Sequence, residues 1–394
     1  MSTSVSNFHR SANAALAVVF FLGALFSVSM ALNRLFPGTE VSHIYLRYAE
    51  IARRIDDFHT GPERTAVVFG ASDAAINFSP TRAESLAARE GLSARVFDFG
   101  SVMAGPDLIA VLAKHFRERV EAGGERVDLA VLSFVPMMYT TNYRRNFRKT
   151  FPFFAHSALR PDEIAEFFPA DPQTFADLYF LRALPHGFGQ GLLRKNATDA
   201  LSTFAYGASS PDRDRGSQDY YNVFRFDGRA YWDPESRGEI DLYRPGPLDS
   251  SAHVEKHREK MYREGYDYHY FMYGSNWNRF DERYFRQLDG ILDNLHAAAK
   301  KVVVYYIPPF FAPGFPAPTP LAARALAPHL AALRADPRVE FWDFSTDWHP
   351  EPTDYFDPVH MTKPGREKFN RLMAPKIVGA LRTVPLRGVT PSTN

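Results

Sequence analysis

Five short, continuous runs of apolar residues constrain the fold of this chain more than any other feature of its sequence. The runs are TAVVF (65–69), ARVFDF (94–99), VDLAVLSFV (127–135), KVVVYYI (301–307) and VEFWDF (339–344). Runs of this kind are typical of strands that are buried on both faces of a parallel sheet. Helical patterns lie between them, and this alternation of strands and helices predicts a doubly wound α/β fold.

The helical patterns cover residues 79–91, 106–123 and 281–301. The first begins with Ser79, which we expect to cap the helix because a proline follows it. The last carries one apolar stripe at three- and four-residue spacing, formed by Phe285, Leu288, Ile291, Leu292 and Leu295. A final helix is expected to begin near Lys363.

The N-terminal segment has the composition of a membrane span. No residue between Ser11 and Asn33 is charged, and the centre of the segment reads AALAVVFFLGALFSVSMAL. An apolar stretch of about 20 residues can cross the hydrocarbon core as a helix, whereas the apolar part of a cleavable signal is usually shorter. The pattern predicts an uncleaved signal anchor over 12–33, with residues 1–11 in the cytoplasm and the body of the chain outside it. Cleavage after Ala31 is the alternative.

The rest of the chain divides by composition. Residues 34–61 are expected to form a helical connector, and 62–384 an α/β domain. Residues 137–299 interrupt the rhythm of strands and are rich in Phe, Tyr, Arg and Pro, which indicates an insertion over the sheet. A flexible tail is expected over 385–394.

Composition excludes several classes of chemistry. The chain has no cysteine, so it has neither disulfides nor thiol catalysis nor cysteine-bound zinc. Its net charge of +1 gives no reason to expect nucleic acid as a partner. His253 and His257 are four residues apart but lack the H-E-x-x-H pattern of a zinc site. The sequence therefore predicts no metal and no cofactor.

The stretch FGASDAAINFSP, residues 69–80, places a serine directly after the first predicted strand. Ligands of open parallel sheets bind outside the carboxyl ends of the strands. Ser72 would lie there at the start of a helix, and Gly70 would permit a tight turn. A serine at a helix start is also a common cap, so this stretch alone leaves both roles open.

Two further segments would meet the same crevice. Gly100, in DFGSVMAGPD (98–107), follows the second strand and could aim its N–H at a reacting oxygen. Near the C-terminus, DYFDPVHMTKPGREKF (354–369) holds Asp357 and His360 three residues apart. A serine nucleophile needs a base, and the base needs an acid that orients it; this one loop could supply both.

Together, FGASD…NFSP, the glycine of DFG, and DPVH before the final helix resemble the SGNH/GDSL hydrolase superfamily. The resemblance is strongest to its DltD-like, membrane-anchored branch and covers residues 64–135 and 300–381. It implies a flavodoxin-like, three-layer α/β/α sandwich. It also implies a triad of Ser72 as nucleophile, His360 as base and Asp357 as orienting acid, with the backbone N–H groups of Ser72 and Gly100 as oxyanion donors.

The sequence departs from the superfamily after the third strand. The usual G-x-N-D is missing, and the chain reads LSFVPMMYTTN. Asn142 is a candidate for the missing third oxyanion donor. The basic stretch NYRRNFRK (142–149) makes Arg144 and Arg145 candidates for binding an acidic polymer, a phosphate group or lipid headgroups; a solvated charged surface is the alternative.

The expected function is that of a membrane-anchored, extracytoplasmic acyl-transfer enzyme. The resemblance implies that it moves O-acyl groups, acetyl or D-alanyl, on a glycan or polymer of the cell envelope. It also implies a membrane-bound O-acyltransferase as partner. Transferase and esterase activity both stay open. The alternative is a non-catalytic envelope scaffold on the same fold, and the enzyme requires the Ser72 hydroxyl within hydrogen-bond reach of a His360 ring nitrogen.

Overall fold

The computed structural model describes residues 51–100, 104–145, 158–170, 174–176, 178, 262–263, 266–267, 279–317, 320–355 and 357–385. The predicted anchor over 12–33 and the histidine pair His253/His257 lie outside the described residues, as do most of the predicted insertion and nearly all of the predicted tail. Within the described part of the chain, no helix combines the length and the apolarity needed to cross a bilayer.

The core of the protein is a five-stranded, all-parallel sheet. Its strands are β1 (Arg64–Phe69), β2 (Ala94–Asp98), β3 (Val127–Phe134), β4 (Ala299–Tyr306) and β5 (Glu340–Asp343). Their order across the sheet is β2-β1-β3-β4-β5. The chain therefore winds outward from β1 in both directions, and the switch point between β1 and β3 is where a sheet of this kind forms a crevice at its carboxyl edge. Each predicted apolar run is a strand, within two residues at either end.

Helices connect the strands and cover both faces of the sheet. The helices in the same unit as the sheet are α1 (Ser72–Asn77), α2 (Pro80–Arg89), α3 (Pro106–Gly123), α5 (Glu282–Ala298), α6 (Pro320–Ala335) and α7 (Lys363–Thr383), and a further helix, α4 (Pro161–Ala170), belongs to a separate compact unit. Residues 51–56 are also helical, within the predicted connector. The predicted helix starts near Ser72, after Ser79 and near Lys363 are confirmed.

The two faces of the sheet are buried by different helices because side chains alternate along each strand. Ala66 and Val68 of β1 share a buried cluster with Met373 and Ile377 of α7. Phe69 points the other way and packs against Phe116 of α3, with 5.5 Å between ring centroids. The predicted α/β fold with a parallel sheet flanked by helices is thus confirmed.

Helix α5 is the part of the predicted insertion that lies on the sheet. Leu288, Ile291, Leu292 and Leu295 are buried as the apolar stripe predicts, and the helix packs against α3, β3 and β4. Phe285 departs from the stripe. It is only half-buried, and its ring stacks on His329 of α6 at 3.6 Å and on Tyr139 at 5.1 Å between ring centroids.

The contacts within the chain divide it into two compact units. Residues 47–151 and 212–394 form one unit, which contains the sheet together with Ser72, Asp357 and His360. Residues 1–46 and 152–211 form the other, which contains α4. The site described below lies entirely within the first unit.

A buried ion pair joins the amino ends of the central strands. The Asp128 carboxylate on β3 accepts hydrogen bonds from Arg64 Nη1 at 3.0 Å, from the Thr65 N–H at 2.9 Å and from Lys300 Nζ at 2.9 Å. Burial acts to raise the pKa of Asp128, but the bonds from Lys300 and Thr65 outweigh it and leave the pKa lowered. This cluster lies at the opposite edge of the sheet from the carboxyl ends.

Candidate active site

Ser72 is placed by a close approach between β1 and β3. Gly70 follows the last residue of β1, and a Cβ added there would lie 2.8 Å from the Cβ of Ser133 and 2.6 Å from that of Ala74. Only glycine fits at such distances, so the chain can turn immediately after the strand. Ala71 is the N-cap of α1, and Ser72 is its first residue.

Asp357 and His360 lie at the tip of a closed loop. Its two sides are joined by an antiparallel bridge between Tyr355 and Met361, and the Thr362 N–H donates to the Asp354 carbonyl at 2.9 Å. Thr362 also caps α7. A Cβ at Gly365 would lie 2.1 Å from the Asp354 carbonyl oxygen, so glycine is required where α7 begins.

The structure brings Ser72, His360 and Asp357 into one hydrogen-bonded chain. Ser72 Oγ lies 2.6 Å from His360 Nε2, and His360 Nδ1 lies 2.5 Å from Asp357 Oδ2. Because a carboxylate only accepts, Nδ1 carries the proton of the neutral ring. Nε2 is then the acceptor for the Ser72 hydroxyl, as a general base requires.

The second oxygen of Asp357 fixes the carboxylate. Oδ1 accepts the backbone N–H of Val359 at 2.8 Å and that of His360 at 2.7 Å. The side chain is fully buried. The carboxylate therefore cannot rotate without losing two hydrogen bonds, and this holds the imidazole in one orientation.

No protein-family model matches the sequence, and a search of curated proteins gives no match either. The chemistry of the site therefore follows from its own residues. A serine hydroxyl bonded to a histidine that is in turn oriented by a buried carboxylate is the arrangement that activates a serine nucleophile. Ser72 is partly exposed, so a substrate can approach it, while His360 and Asp357 are buried.

A second buried carboxylate, that of Asp73, directly follows Ser72 in the chain. Asp73 is 5% exposed and accepts a hydrogen bond from Ser133 Oγ at the end of β3. Burial raises the pKa of Asp73, and the bond from Ser133 opposes this rise only in part. The pKa of Tyr305 on β4 lies well above its usual value, mainly because the hydroxyl is buried and also because the Asp73 charge is near.

A groove opens beside the chain of Ser72, His360 and Asp357. The groove is narrow and partly open to solvent. The lining includes the chain neighbours of both Ser72 and His360 and is mostly apolar: Asp73, Asn77, Phe134, Val135, Pro136, Ile307, Pro308, Pro309, Tyr355, Pro358 and Val359. Its apolar lining borders the residues next to Ser72 and His360.

One wall of the groove is tied to the histidine loop. The Phe310 N–H donates to the Pro358 carbonyl at 2.9 Å, and the Phe310 ring stacks on Tyr355 at 5.3 Å. Tyr262, from the predicted insertion, donates its hydroxyl to the Phe310 carbonyl at 2.7 Å and accepts the Ala312 N–H at 3.0 Å. A residue of the insertion thus supports the wall of the groove.

Gly100 lies where the sequence predicts it, after β2 and against α1. A Cβ there would lie 2.8 Å from the backbone nitrogen of Ala75, so the close approach requires glycine. Its N–H donates to Asp98 Oδ1 at 2.7 Å. To serve as an oxyanion donor, Gly100 would have to exchange this bond for one to the substrate, and that role stays a prediction.

The three candidates after β3 lie in a helical turn over residues 141–145. Arg144 Nε binds Asp281 Oδ2 at 2.5 Å, and Asp281 caps α5. A substrate would have to compete with this ion pair for the Arg144 side chain. Arg145 is exposed, and Asn142 is partly exposed. Their predicted roles in binding and in oxyanion stabilisation are not tested by these positions.

Among the residues that the structure describes, no three His, Asp or Glu side chains lie close enough together to hold a metal ion.

The sequence did not reveal three polar residues that build the site: Asp73, Asn77 and Ser133. A signal existed for Ser133, since it is the polar residue near the end of the buried run VDLAVLSFV. For Asn77 no comparable signal exists, because its partners lie 282 and 284 residues away in the chain.

Proposed function

We propose that the protein is an acyl-transfer enzyme that uses Ser72 as nucleophile, His360 as general base and Asp357 as the acid that orients the base. The observation that carries this proposal is the unbroken hydrogen-bond chain, 2.6 Å from Ser72 Oγ to His360 Nε2 and 2.5 Å from His360 Nδ1 to Asp357 Oδ2. The first distance is within the reach needed for proton transfer, and the second is that of a hydrogen bond that orients the ring.

In the first half of the reaction, His360 Nε2 takes the proton of the Ser72 hydroxyl while Oγ attacks the carbonyl carbon of an ester or thioester. The tetrahedral intermediate collapses when the imidazolium gives this proton to the leaving oxygen or sulfur. The acyl group is then bound covalently to Ser72 Oγ. Asp357 stabilises the imidazolium by its negative charge and stays ionised, while the proton on Nδ1 remains on the ring throughout.

In the second half, the hydroxyl of an acceptor, or a water molecule, gives its proton to His360 Nε2 and attacks the acyl-serine. Collapse of the second intermediate returns the proton to Ser72 Oγ. The reaction is a transfer when the acceptor is a glycan or polymer hydroxyl, and a hydrolysis when it is water. The same side chains serve both outcomes, so the choice depends on which acceptor occupies the groove.

The proposed oxyanion donors are the backbone N–H groups of Ser72 and Gly100. They belong to residues that follow β1 and β2, at the carboxyl edge of the sheet where the strand order forms a crevice. One such donor contributes about 2.7–4 kcal/mol to the stabilisation of the transition state in comparable sites.

We also propose that the fold is a three-layer sandwich of the SGNH type. The strand order β2-β1-β3-β4-β5 supports it, because flavodoxin-like sheets share this order. We further propose that residues 12–33 anchor the enzyme to the membrane with its body outside the cytoplasm. Its substrates would then be O-acyl groups, acetyl or D-alanyl, of an envelope glycan or polymer, handled together with a membrane-bound O-acyltransferase.

The proposal is tested by covalent labelling. The full chain, purified in detergent, is treated with a fluorophosphonate probe, and the adduct is located by mass spectrometry. Ser72→Ala and His360→Ala are treated in parallel. The matched control is Ser79→Ala, which removes a serine that bonds to Thr81 at 3.1 Å and lies at the start of the next helix.

A single adduct on Ser72 is expected in the wild type and in Ser79→Ala, and none in the other two variants. A folded wild type that gains no adduct, or a His360→Ala variant labelled at the wild-type rate, would contradict the proposal. For an active protein, incubation with an acyl donor and a polymer acceptor separates transfer from hydrolysis, since the acyl group ends on the polymer or in free acid.

A further inference from the structure

Asn77, the last residue of α1, binds the loop of His360 on both sides of the histidine. Its Oδ1 accepts the Met361 N–H at 3.0 Å, and its Nδ2 donates to the Val359 carbonyl at 3.1 Å. Asn77 is 1% exposed, so water does not compete for these bonds. The two partners are the residues immediately before and after His360.

Asn370 of α7 fixes Asn77 in turn. Asn370 Nδ2 donates to the Asn77 carbonyl at 2.8 Å and to the Arg366 carbonyl at 2.7 Å. Its Oδ1 accepts the Ser79 N–H at 2.8 Å. The end of α1 is therefore held by the same helix that follows the histidine loop, and the asparagine pair forms one buried network.

The roles of Asp357 and Asn77 differ. Asp357 holds the imidazole within its own loop, through bonds to the ring and to the backbone of Val359 and His360. Asn77 holds that loop relative to the helix that carries Ser72. The distance between Ser72 Oγ and His360 Nε2 depends on this second connection.

We propose that Asn77 is a positioning residue that sets the distance between the nucleophile and its base. This inference rests on the proposed function, because it assigns Asn77 a part in proton transfer from Ser72. Only an amide fits the position, since one bond needs an acceptor and the other needs a donor. An aspartate would place an oxygen against the Val359 carbonyl, and an alanine would leave both backbone groups without partners.

The expected size of the effect follows from the geometry. The Ser72–His360 distance is 2.6 Å, and a displacement of about 1 Å in a reacting pair can cost about 100-fold in rate. A role limited to stability would lower the melting temperature but leave the rate of the folded fraction unchanged.

The test measures labelling of Ser72 by the fluorophosphonate probe over a range of concentrations, using the full chain in detergent. Each variant yields a maximal rate constant and a half-saturating concentration. The variants are Asn77→Ala, Asn77→Asp and Asn370→Ala. The matched control is Asn294→Ala, which removes an asparagine whose Nδ2 donates to the Gly290 carbonyl at 2.8 Å on α5, remote from the site.

Both Asn77 variants are expected to lower the maximal rate constant by about 10- to 100-fold, with little change in half-saturation, because the probe binds as before but reacts more slowly. Asn370→Ala is expected to lower it less, and Asn294→Ala not at all. Circular dichroism and melting curves establish that each variant is folded at the assay temperature.

A folded Asn77 variant that reacts as fast as Asn294→Ala would overturn the inference. If Asn77→Ala does not fold, the inference is tested by Asn77→Asp, which keeps the side-chain volume and the acceptor for the Met361 N–H. If neither Asn77 variant folds, the inference is tested by Asn370→Ala. The His360→Ala variant distinguishes a failure of the positioning role of Asn77 from a failure of the proposed function. Loss of labelling in His360→Ala without loss in the Asn77 variants refutes only the positioning role. Wild-type labelling in His360→Ala, or none in the wild type, refutes the proposed function and this inference with it.

Discussion

Replacement of Asp357 by asparagine is expected to inactivate the protein by reversing the tautomer of His360. The carboxylate accepts hydrogen bonds from two backbone N–H groups at Oδ1 and from the ring at Oδ2. An amide has a single acceptor oxygen, and the two backbone donors keep that oxygen in the position of Oδ1. The NH₂ group then faces His360 Nδ1, which must accept. The ring proton moves to Nε2, which can no longer take the proton of Ser72.

The alternative orientation of the amide is disfavoured by the same contacts. It would keep the bond to the ring but would direct the NH₂ group at the N–H groups of Val359 and His360 and lose both bonds. Because the wrong tautomer dominates, we expect the rate to fall by about 10⁴-fold, as it does for this substitution in a serine protease. Such a loss corresponds to about 5 kcal/mol of transition-state stabilisation. The fold should persist, since asparagine has nearly the same volume.

The assay compares the rates of probe labelling and of chromogenic ester hydrolysis in the wild type and in Asp357→Asn. Asp354→Asn is the matched control. It changes a buried carboxylate of the same loop that bonds to the Glu351 N–H and to Lys368 Nζ, not to the histidine. A folded Asp357→Asn protein within about tenfold of the wild-type rate would refute the tautomer argument.

Three further outcomes follow from the fold and its charges. Asp73→Asn should remove a pH dependence of stability. Because the pKa of Asp73 is raised in the folded state, the folded protein binds more protons than the unfolded chain between the ordinary pKa of 3.8 and the raised pKa. The free energy of unfolding of the wild type, relative to the variant, should therefore fall as pH rises through this range and then level off, as urea unfolding at several pH values would show. Asp128→Ala should cost about 3–5 kcal/mol in urea unfolding, because it leaves Arg64 buried without its carboxylate. Gly365→Ala should slow labelling of Ser72, because the new Cβ would lie 2.1 Å from the Asp354 carbonyl oxygen and displace the start of α7.

Each of these outcomes has a counterpart that would contradict it. A constant difference in unfolding free energy between wild type and Asp73→Asn from pH 4 to pH 8 would show that the Asp73 carboxyl titrates as in the unfolded chain. An Asp128→Ala protein as stable as the wild type would contradict the ion-pair argument, and the folded variant should label at the wild-type rate, since the ion pair lies at the far edge of the sheet. Gly379→Ala, where an added Cβ meets nothing within 4 Å, is the control for Gly365→Ala, and equal labelling rates in both would refute the steric argument.

The strands of the sheet could be predicted because each is marked by residues that are adjacent in the sequence. Each strand is a continuous apolar run, and every residue of β1 and β3 is buried in the structure. The positions of Ser72 and of the Asp357–His360 loop were also predictable, since each lies beside a strand end or a helix start. The end of α1 at Asn77 and the order of the strands carry no such local signature.

The hydrogen bonds through which Asn77 and Asn370 hold the histidine loop could not be predicted, because they join residues that are far apart in the sequence. Asn77 and Asn370 are 293 residues apart, and neither stands in a pattern that distinguishes it from a surface asparagine. Asp73 poses the same difficulty in another form. An acidic residue in the first turn of a helix is ordinarily solvated, and only the packing of β3 against the Gly70 turn shows that this one is buried.

The wide separation of Ser72 and His360 along the chain has a consequence for biosynthesis. The two residues stand 288 positions apart, and chains generally begin to fold from the N-terminal side while they are still being made. The strand that precedes the serine can pair with β2 and β3 long before the histidine has left the ribosome. His360 can reach Ser72 only when α7 docks against β1. A nascent chain that stops before Asp357 would thus carry an unreactive serine, and reactivity towards the probe would report, during translation, the moment at which α7 closes the sheet.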